Sequence, residues 1–182
     1  MRKAMAAAFL AVTLAACGQS AAPMADNNSP PSDPVPAVAN RIDASRVVAL
    51  DAIDACAFTP AEVSVALAGS YNAGVPVAPI PGAPRRDCTY DAQSGPGQLR
   101  VNITWLEPSS AATSRATMLN MLTGGTAPMV GDADGAIFQD QTELGTYALH
   151  YSRGNLLYEV RLMAFSGGAA AAQEKLLRLR RP

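Results

Sequence analysis

Few side chains in this sequence combine a residue type and a spacing that could support metal binding or catalysis. The segment Asp132-Ala133-Asp134-Gly135 has the alternating carboxylates and the glycine of part of a calcium-binding loop. An EF-hand also places acidic ligands at the first and last positions of its loop, where this chain has Val130 and Gln141. The segment therefore predicts a tight turn that leads into a strand, not a calcium site.

The single histidine, His150, is the other candidate for acid–base or metal chemistry. A catalytic triad around it would need a nucleophile and an acid, and a metal site would need further ligands, but no local pattern supplies them. The sequence also contains neither a glycine-rich phosphate loop nor a G-x-S-x-G motif. We therefore predict that the protein is not an enzyme and that it uses no cofactor or metal.

The N-terminus carries the most informative pattern in the chain. Positive charges at Arg2 and Lys3 precede a short apolar run, and the small-residue segment Leu14-Ala15-Ala16-Cys17 follows. This order of charge, apolar run and small residues predicts a secretory signal peptide over residues 1–16. The run is too short for a transmembrane helix, which needs about 20 apolar residues.

The segment that ends the signal peptide resembles the lipobox of bacterial lipoproteins, matching it position by position from Leu14 to Cys17. The resemblance implies cleavage before Cys17, diacylation of its thiol and acylation of its new amine. Several acyl chains would anchor the protein stably in lipid. Gly18, where inner-membrane lipoproteins often carry aspartate, favours the outer membrane facing the periplasm. The alternative is a plain signal peptide with a chance cysteine.

Residues 17–41 are rich in proline, alanine, serine and asparagine and show no hydrophobic period. Such a segment cannot bury enough apolar surface to fold, so it predicts a disordered, semi-stiff tether. Residues 42–182 are long enough for one globular domain. The formal net charge of −1 provides no strong positive field, so we expect no nucleic acid partner.

With Cys17 assigned to lipid, Cys56 and Cys88 remain. An even pair of cysteines in an exported protein predicts one disulfide. Its Cα atoms should lie about 4.4–6.8 Å apart. On the chain-entropy model such a bridge would contribute about 3–4 kcal/mol. It would enclose the proline- and glycine-rich residues 70–87, which predict a long loop.

The predicted secondary structure is mixed. Thr59 and Glu62 are predicted to form a capping box, and Pro60 suits the first position of the helix that follows. Gly69 is predicted to end this helix in the left-handed conformation. Residues 98–106 alternate apolar and polar side chains and are the clearest strand. The other predicted elements are a helix after Pro108, a loop through Pro128, a strand over 136–139, a hairpin of 146–151 and 156–163, and a last helix over about 168–179. Consecutive strands joined by short turns imply an antiparallel sheet packed with helices, the α+β class.

Short motifs over about residues 50–180 resemble those of small bacterial lipoprotein domains of unknown function. They are Cys56, residues 59–63, residues 88–90 and residues 130–133. The resemblance implies a PsbP-like α/β/α sandwich. We therefore expect a non-catalytic binding or protein-interaction domain at the cell envelope, with an envelope protein as its partner. The alternatives are a small-ligand-binding lipoprotein and an envelope hydrolase. A deep pocket with convergent polar groups would favour those alternatives.

The hairpin determines on which face of the sheet His150 lies. A two-residue turn at Gly154-Asn155 would place Tyr151 opposite Tyr158 and His150 opposite Glu159. Because this register buries the other face, it predicts that His150 is an exposed strand residue, not a catalytic base. A turn at Arg153-Gly154 would keep the faces but change the partner of His150.

Overall fold

The computed structural model describes residues 46–95 and 97–180. The predicted signal peptide, Cys17 and the tether lie outside these residues. Within them, no helix has both the length and the apolar content that crossing a membrane requires.

The eight strands form one antiparallel sheet, and three α-helices pack against it. Along the sheet the order is β1-β3-β4-β8-β7-β6-β5, and β2 also pairs with β3. The predicted α+β class is therefore confirmed. The strands are β1 (Ser70–Tyr71), β2 (Val75–Val77), β3 (Arg85–Ser94), β4 (Gln98–Trp105), β5 (Gly125–Pro128), β6 (Ile137–Gln141), β7 (Thr146–Arg153) and β8 (Leu156–Met163). The helices are α1 (Pro60–Leu67), α2 (Ala111–Asn120) and α3 (Ala169–Arg178).

One face of the sheet is apolar and is covered by α1 and α3. The main core joins Val63 and Leu67 of α1 and Leu176 of α3 to strand residues such as Val101 and Val160, all at most 2% exposed. The Lys175 ammonium of α3 donates to the Leu67 carbonyl of α1 at 2.9 Å. The two helices are therefore joined by a polar bond as well as by apolar packing.

Helix α1 begins as predicted. The Thr59 hydroxyl accepts from the Glu62 amide at 3.2 Å, while the Glu62 carboxylate accepts from the Thr59 amide at 2.6 Å. Its predicted end is one residue late, because Ala68, not Gly69, has the left-handed φ of 56°. Gly69 is needed for a different reason: a Cβ there would lie 2.6 Å from the Ser94 carbonyl oxygen.

The disulfide between Cys56 and Cys88 is present, with its Cα atoms 5.2 Å apart, which confirms the prediction. It joins the segment before α1 to the middle of β3. Two residues further along β3, the buried Tyr90 hydroxyl pairs with both the amide and the carbonyl of Phe58 at 3.2 Å. This face is therefore fixed by covalent, polar and apolar contacts together.

Helix α2 lies on the opposite face. A small second cluster joins Leu106 and Leu157 to Ala111, Met118 and Leu119 of the α2 segment. Only Ala111 of the helix is buried, and no side chain caps its N-terminus. Helix α2 is therefore held by far fewer apolar contacts than α1 and α3.

Two segments predicted as loops form edge strands instead. Residues 70–87 contain β1, β2 and the start of β3, and the segment through Pro128 forms β5. Because an edge strand needs backbone bonds on one side only, it tolerates prolines such as Pro76 and Pro128. Proline content alone therefore misplaced these strands.

Candidate functional site

A row of polar side chains crosses the sheet on the face under α2. The register pairs Asp87 of β3 with Asn102 of β4, Asn102 with Glu159 of β8, and Glu159 with His150 of β7. Residues directly opposite each other on neighbouring strands share a face. We call Asp87, Asn102, Glu159 and His150 the polar row. The fold thus brings together two carboxylates, an amide and an imidazole that are distant in the sequence.

The middle of this face is buried. Asn102, Gln139 and His150 are each only 3% exposed. Met118, Leu119 and Leu122, from α2 and the residues after it, line a cavity of about 70 Å³ together with Asn102, Glu159 and His150. A space of this size holds about one or two water molecules.

The predicted hairpin register is confirmed, but the predicted exposure of His150 is wrong. Tyr151 lies opposite Tyr158, and His150 lies opposite Glu159 across a turn at Gly154-Asn155. The imidazole is buried because the α2 segment covers this face, and the hairpin pattern carries no information about that helix.

The hydrogen bonds around His150 define its tautomer. The Gln139 amide nitrogen donates to the Thr123 carbonyl at 2.6 Å, which turns the amide oxygen towards His150. His150 Nε2 lies 3.0 Å from that oxygen. Because the oxygen can only accept, Nε2 carries the hydrogen and Nδ1 of the neutral ring is an acceptor. Nδ1 has no hydrogen-bond partner among the described residues.

Burial lowers the pKa of His150, Glu159 opposes that shift and Arg161 adds to it. The ordinary pKa of 6.5 is thereby moved downwards, so the ring is neutral at pH 7. A neutral imidazole with a free Nδ1 can accept a hydrogen bond from a bound molecule.

Arginines surround the two carboxylates of the polar row. Arg85 and Arg100 approach Asp87 Oδ1 at 2.8 and 3.6 Å, and Asn102 donates to the same oxygen at 2.6 Å. Arg161 lies 2.6 Å from Glu159. Two of these guanidinium groups have an unused N–H donor, since the Nε atoms of Arg100 and Arg161 are buried without a hydrogen-bond partner among the described residues. The face therefore offers guanidinium donors around one neutral acceptor.

The hydrolase alternative requires His150 to lie within reach of a serine or an acid. The acid Glu159 lies opposite His150 on β8, but the hydrogen-bond partner of the ring is the Gln139 amide at 3.0 Å, which neither takes up nor releases a proton. Ser152 occupies the same face two residues along β7, and its buried hydroxyl has no hydrogen-bond partner among the described residues. No hydrogen bond links it to His150.

The segment 132–135 forms the predicted tight turn before β6. Asp132 Oδ1 accepts from the amides of Asp134 and Ala136 at 2.9 and 3.1 Å. The Arg180 guanidinium binds Asp132 and Asp134 and lies 5.3 Å from the centre of the Tyr151 ring. The hydrogen bond from Arg180, with smaller help from the two amides and against burial, lowers the pKa of Asp132 to about 2. The two carboxylates thus hold the C-terminal end of α3 to this turn.

The described residues contain no group of three or more His, Cys, Asp or Glu side chains arranged to hold a metal ion. Of the residues singled out in the sequence, Cys56 and Cys88 are joined to each other, His150 belongs to the polar row, and Cys17 lies outside the described residues.

The sequence pattern did not reveal the polar row as a whole. The alternation in β4 and the hairpin register were sufficient to place Asn102 and Glu159 on a polar face. Asp87 was missed because residues 70–87 were predicted to form a loop, whereas β3 begins at Arg85. Burial of the row depends on α2, which no local pattern assigns to this face.

No known protein family matches this chain, and neither does any curated protein. Among solved structures, the chain is similar to the crystal structure of a GTP binding regulator from Thermotoga maritima. The two share 12% identity and a TM-score of 0.39, over 69% of this chain and 87% of that one. We transfer neither fold nor function from so distant a likeness.

Proposed function

We propose that this chain is a lipid-anchored protein of the bacterial cell envelope whose domain binds a partner without transforming it. The lipobox-like segment ending at Cys17 supports acylation and placement in the outer membrane, facing the periplasm. The Cys56–Cys88 disulfide agrees with an exported protein. The finer fold assignment, a PsbP-like α/β/α sandwich, belongs to the same proposal. The positions of α1 and α3 on one face and α2 on the other support it.

The observation that carries the binding function is the buried polar row under α2. Burying polar groups without full hydrogen bonding costs free energy, so unpaired buried groups are uncommon unless they serve a purpose. Here the Nε atoms of Arg100 and Arg161 are buried without a hydrogen-bond partner among the described residues. Arg100 and Arg161 lie on the same sheet face as the polar row, which the weakly packed α2 partly covers, and binding sites gather a few polar groups in this way.

The binding partner must displace α2. The cavity of about 70 Å³ is far smaller than the roughly 300–1,000 Å³ of small-molecule sites. Arg115 of α2 donates to the carbonyls of Asp134 and Gly135 at 3.1 and 2.8 Å. These two bonds hold α2 in place over the polar row. Once the helix moves, the arginines and His150 would meet a molecule that carries an anionic group and a hydrogen-bond donor.

A photo-crosslinker placed on each side of the domain, in native membranes, tests this assignment. Met121 at the end of α2 is 67% exposed, and Val65 on α1 is 77% exposed. We expect a specific product from Met121 that disappears in the Arg100→Met, Arg161→Met double variant, and no product from Val65. Products from Val65 alone would place the partner in the groove of about 580 Å³ between α1 and α3. That result, or no product from either position, would contradict the assignment.

A further inference from the structure

We infer that the exposed apolar loop of residues 73–84 contacts the lipid surface to which the protein is anchored. This inference rests on the proposed lipid anchor at Cys17. The loop reads Ala-Gly-Val-Pro-Val-Ala-Pro-Ile-Pro-Gly-Ala-Pro and contains no charged or hydrogen-bonding side chain. We call residues 73–84 the apolar loop.

The apolar loop includes β2, which pairs with β3, and residues 78–84 extend beyond this pairing. Val75, Val77 and Ile80 are 60, 38 and 73% exposed. At the tip the Ala83 amide donates to the Ile80 carbonyl at 3.0 Å. A Cβ on Gly82, which has a φ of 77°, would meet nothing within 4 Å. Single exposed apolar residues are normal, but a contiguous apolar segment at the surface marks an interaction site.

The position of the apolar loop favours lipid as the occupant. The Trp105 amide donates to the carbonyl of Pro84, the last loop residue, at 2.7 Å. The Trp105 indole donates to the Val48 carbonyl at 2.8 Å. Val48 lies two residues after Arg46, where the described chain begins. The apolar loop and the start of the described chain therefore lie at the same end of the sheet, so a tether from Cys17 would enter the domain at the end that carries the loop.

The charge next to the apolar loop also fits a lipid surface. Arg85 and Arg86 follow it directly and pair with Thr104 and Ile103 of β4, so their side chains lie on opposite faces of the sheet. Arg85 is bound to Asp87, whereas Arg86 has no ion pair among the described residues. An apolar tip with a cation at its base suits acyl chains under anionic headgroups. Pro76 and Pro79 lack amide donors, which disfavours the alternative of an added strand from a protein partner.

A tryptophan introduced at the tip of the apolar loop tests the contact in the full-length protein. Ile80→Trp and Leu144→Trp replace apolar side chains of matched exposure, 73 and 72%. Leu144 precedes β7 and lies at the opposite end of the sheet from the β7–β8 turn that binds Val48. Both variants keep Trp105, whose fluorescence emission is a background common to the two proteins. Each protein is mixed with excess vesicles of phosphatidylethanolamine and phosphatidylglycerol, with or without brominated acyl chains, and then sedimented.

We expect both proteins to sediment with the vesicles, and the emission of Ile80→Trp to shift to shorter wavelength. Bromine should quench that emission well beyond the emission of Leu144→Trp. Equal quenching of the two sedimented proteins would overturn the loop contact and leave the anchor intact. Protein that stays in the supernatant would contradict the anchor and the loop contact together, because excess lipid would then not be bound at all.

Discussion

On one face of the sheet, α1 and α3 cover fully buried side chains such as Leu99, Val101 and Leu149, and a disulfide joins that layer to β3. On the other face, α2 buries only Ala111 of its own residues and lies over a polar row. Stability thus comes mainly from the first face. The second face keeps polar groups that are mostly hydrogen-bonded to one another, with the Nε atoms of Arg100 and Arg161 left without a hydrogen-bond partner among the described residues. This contrast is the basis of the proposal that the polar face binds a partner, because packing alone would not require polar groups there.

Removing the disulfide should have the largest effect, because it acts on the stable face. Replacing Cys56 and Cys88 together by alanine should lower the free energy of unfolding by about 2–5 kcal/mol. Urea unfolding with and without reductant measures this. Reductant should destabilise the original protein to a similar extent and leave the double variant unchanged. An equal free energy of unfolding for both proteins without reductant would show that this face does not depend on the bridge.

Asp132→Asn should have the second largest effect, because it weakens the link between α3 and the turn before β6. The ordinary Asp pKa of 3.8 falls to about 2 in the folded protein, which corresponds to about 2 kcal/mol of stability. Because the folded-state pKa is depressed, this contribution is present above pH 4 and disappears as the pH falls towards 2.

Urea unfolding at pH 7 and at low pH checks the prediction for Asp132. Asparagine keeps an acceptor for the amides of Asp134 and Ala136, so the substitution isolates the ionic contribution. Asp54→Asn is a matched control, since Asp54 also accepts from a backbone amide, that of Cys56 at 2.8 Å, but binds no arginine among the described residues. The control should change stability by no more than about 0.5 kcal/mol. A loss for Asp132→Asn that persists at low pH would refute the ionic explanation.

Features of the two faces that depend on residues close together in the sequence could be predicted, and features that depend on distant segments could not. The capping box of α1 and the hairpin register each depend on a few neighbouring residues, and both are confirmed. The burial of His150 and the pairing of β5 depend on contacts between distant segments, so local patterns missed them. The turn at Asp132 was predicted, but its link to Arg180 crosses much of the chain and has no local signal.

Arg115→Met should have a somewhat smaller effect on global stability, about 1–2 kcal/mol, because it removes two hydrogen bonds to backbone carbonyls. Its main result should be faster proteolysis within α2, while α1 and α3 stay protected. Arg178→Met is the control, because the one ion pair of Arg178 within the described part of the chain is an exposed pair with Glu174 at 2.5 Å. If both variants were cleaved at the same rate in α2, the bonds of Arg115 would not hold that helix closed.

The smallest effect expected is the pH dependence that comes from His150. Burial lowers the pKa of His150 in the folded protein below 6.5. Between about pH 7 and 5 the imidazole therefore takes up a proton in the unfolded chain but not in the folded protein. Stability should therefore fall as the pH is lowered through this window. In His150→Gln this part of the pH dependence should be lost. The imidazole resonances of this single histidine report its pKa directly by NMR, and a pKa at or above 6.5 would contradict its burial.

Hydrogen exchange of the backbone amides tests the contrast between the two faces most directly, with the disulfide intact. Helices α2 and α3 are both ten residues long, which makes them a matched pair. We predict that the amides of α2 exchange through local opening, much faster than those of α3, whose exchange should require global unfolding. If α2 and α3 exchange at the same rate, α2 does not open separately, and the polar row is part of the closed core, not a binding site.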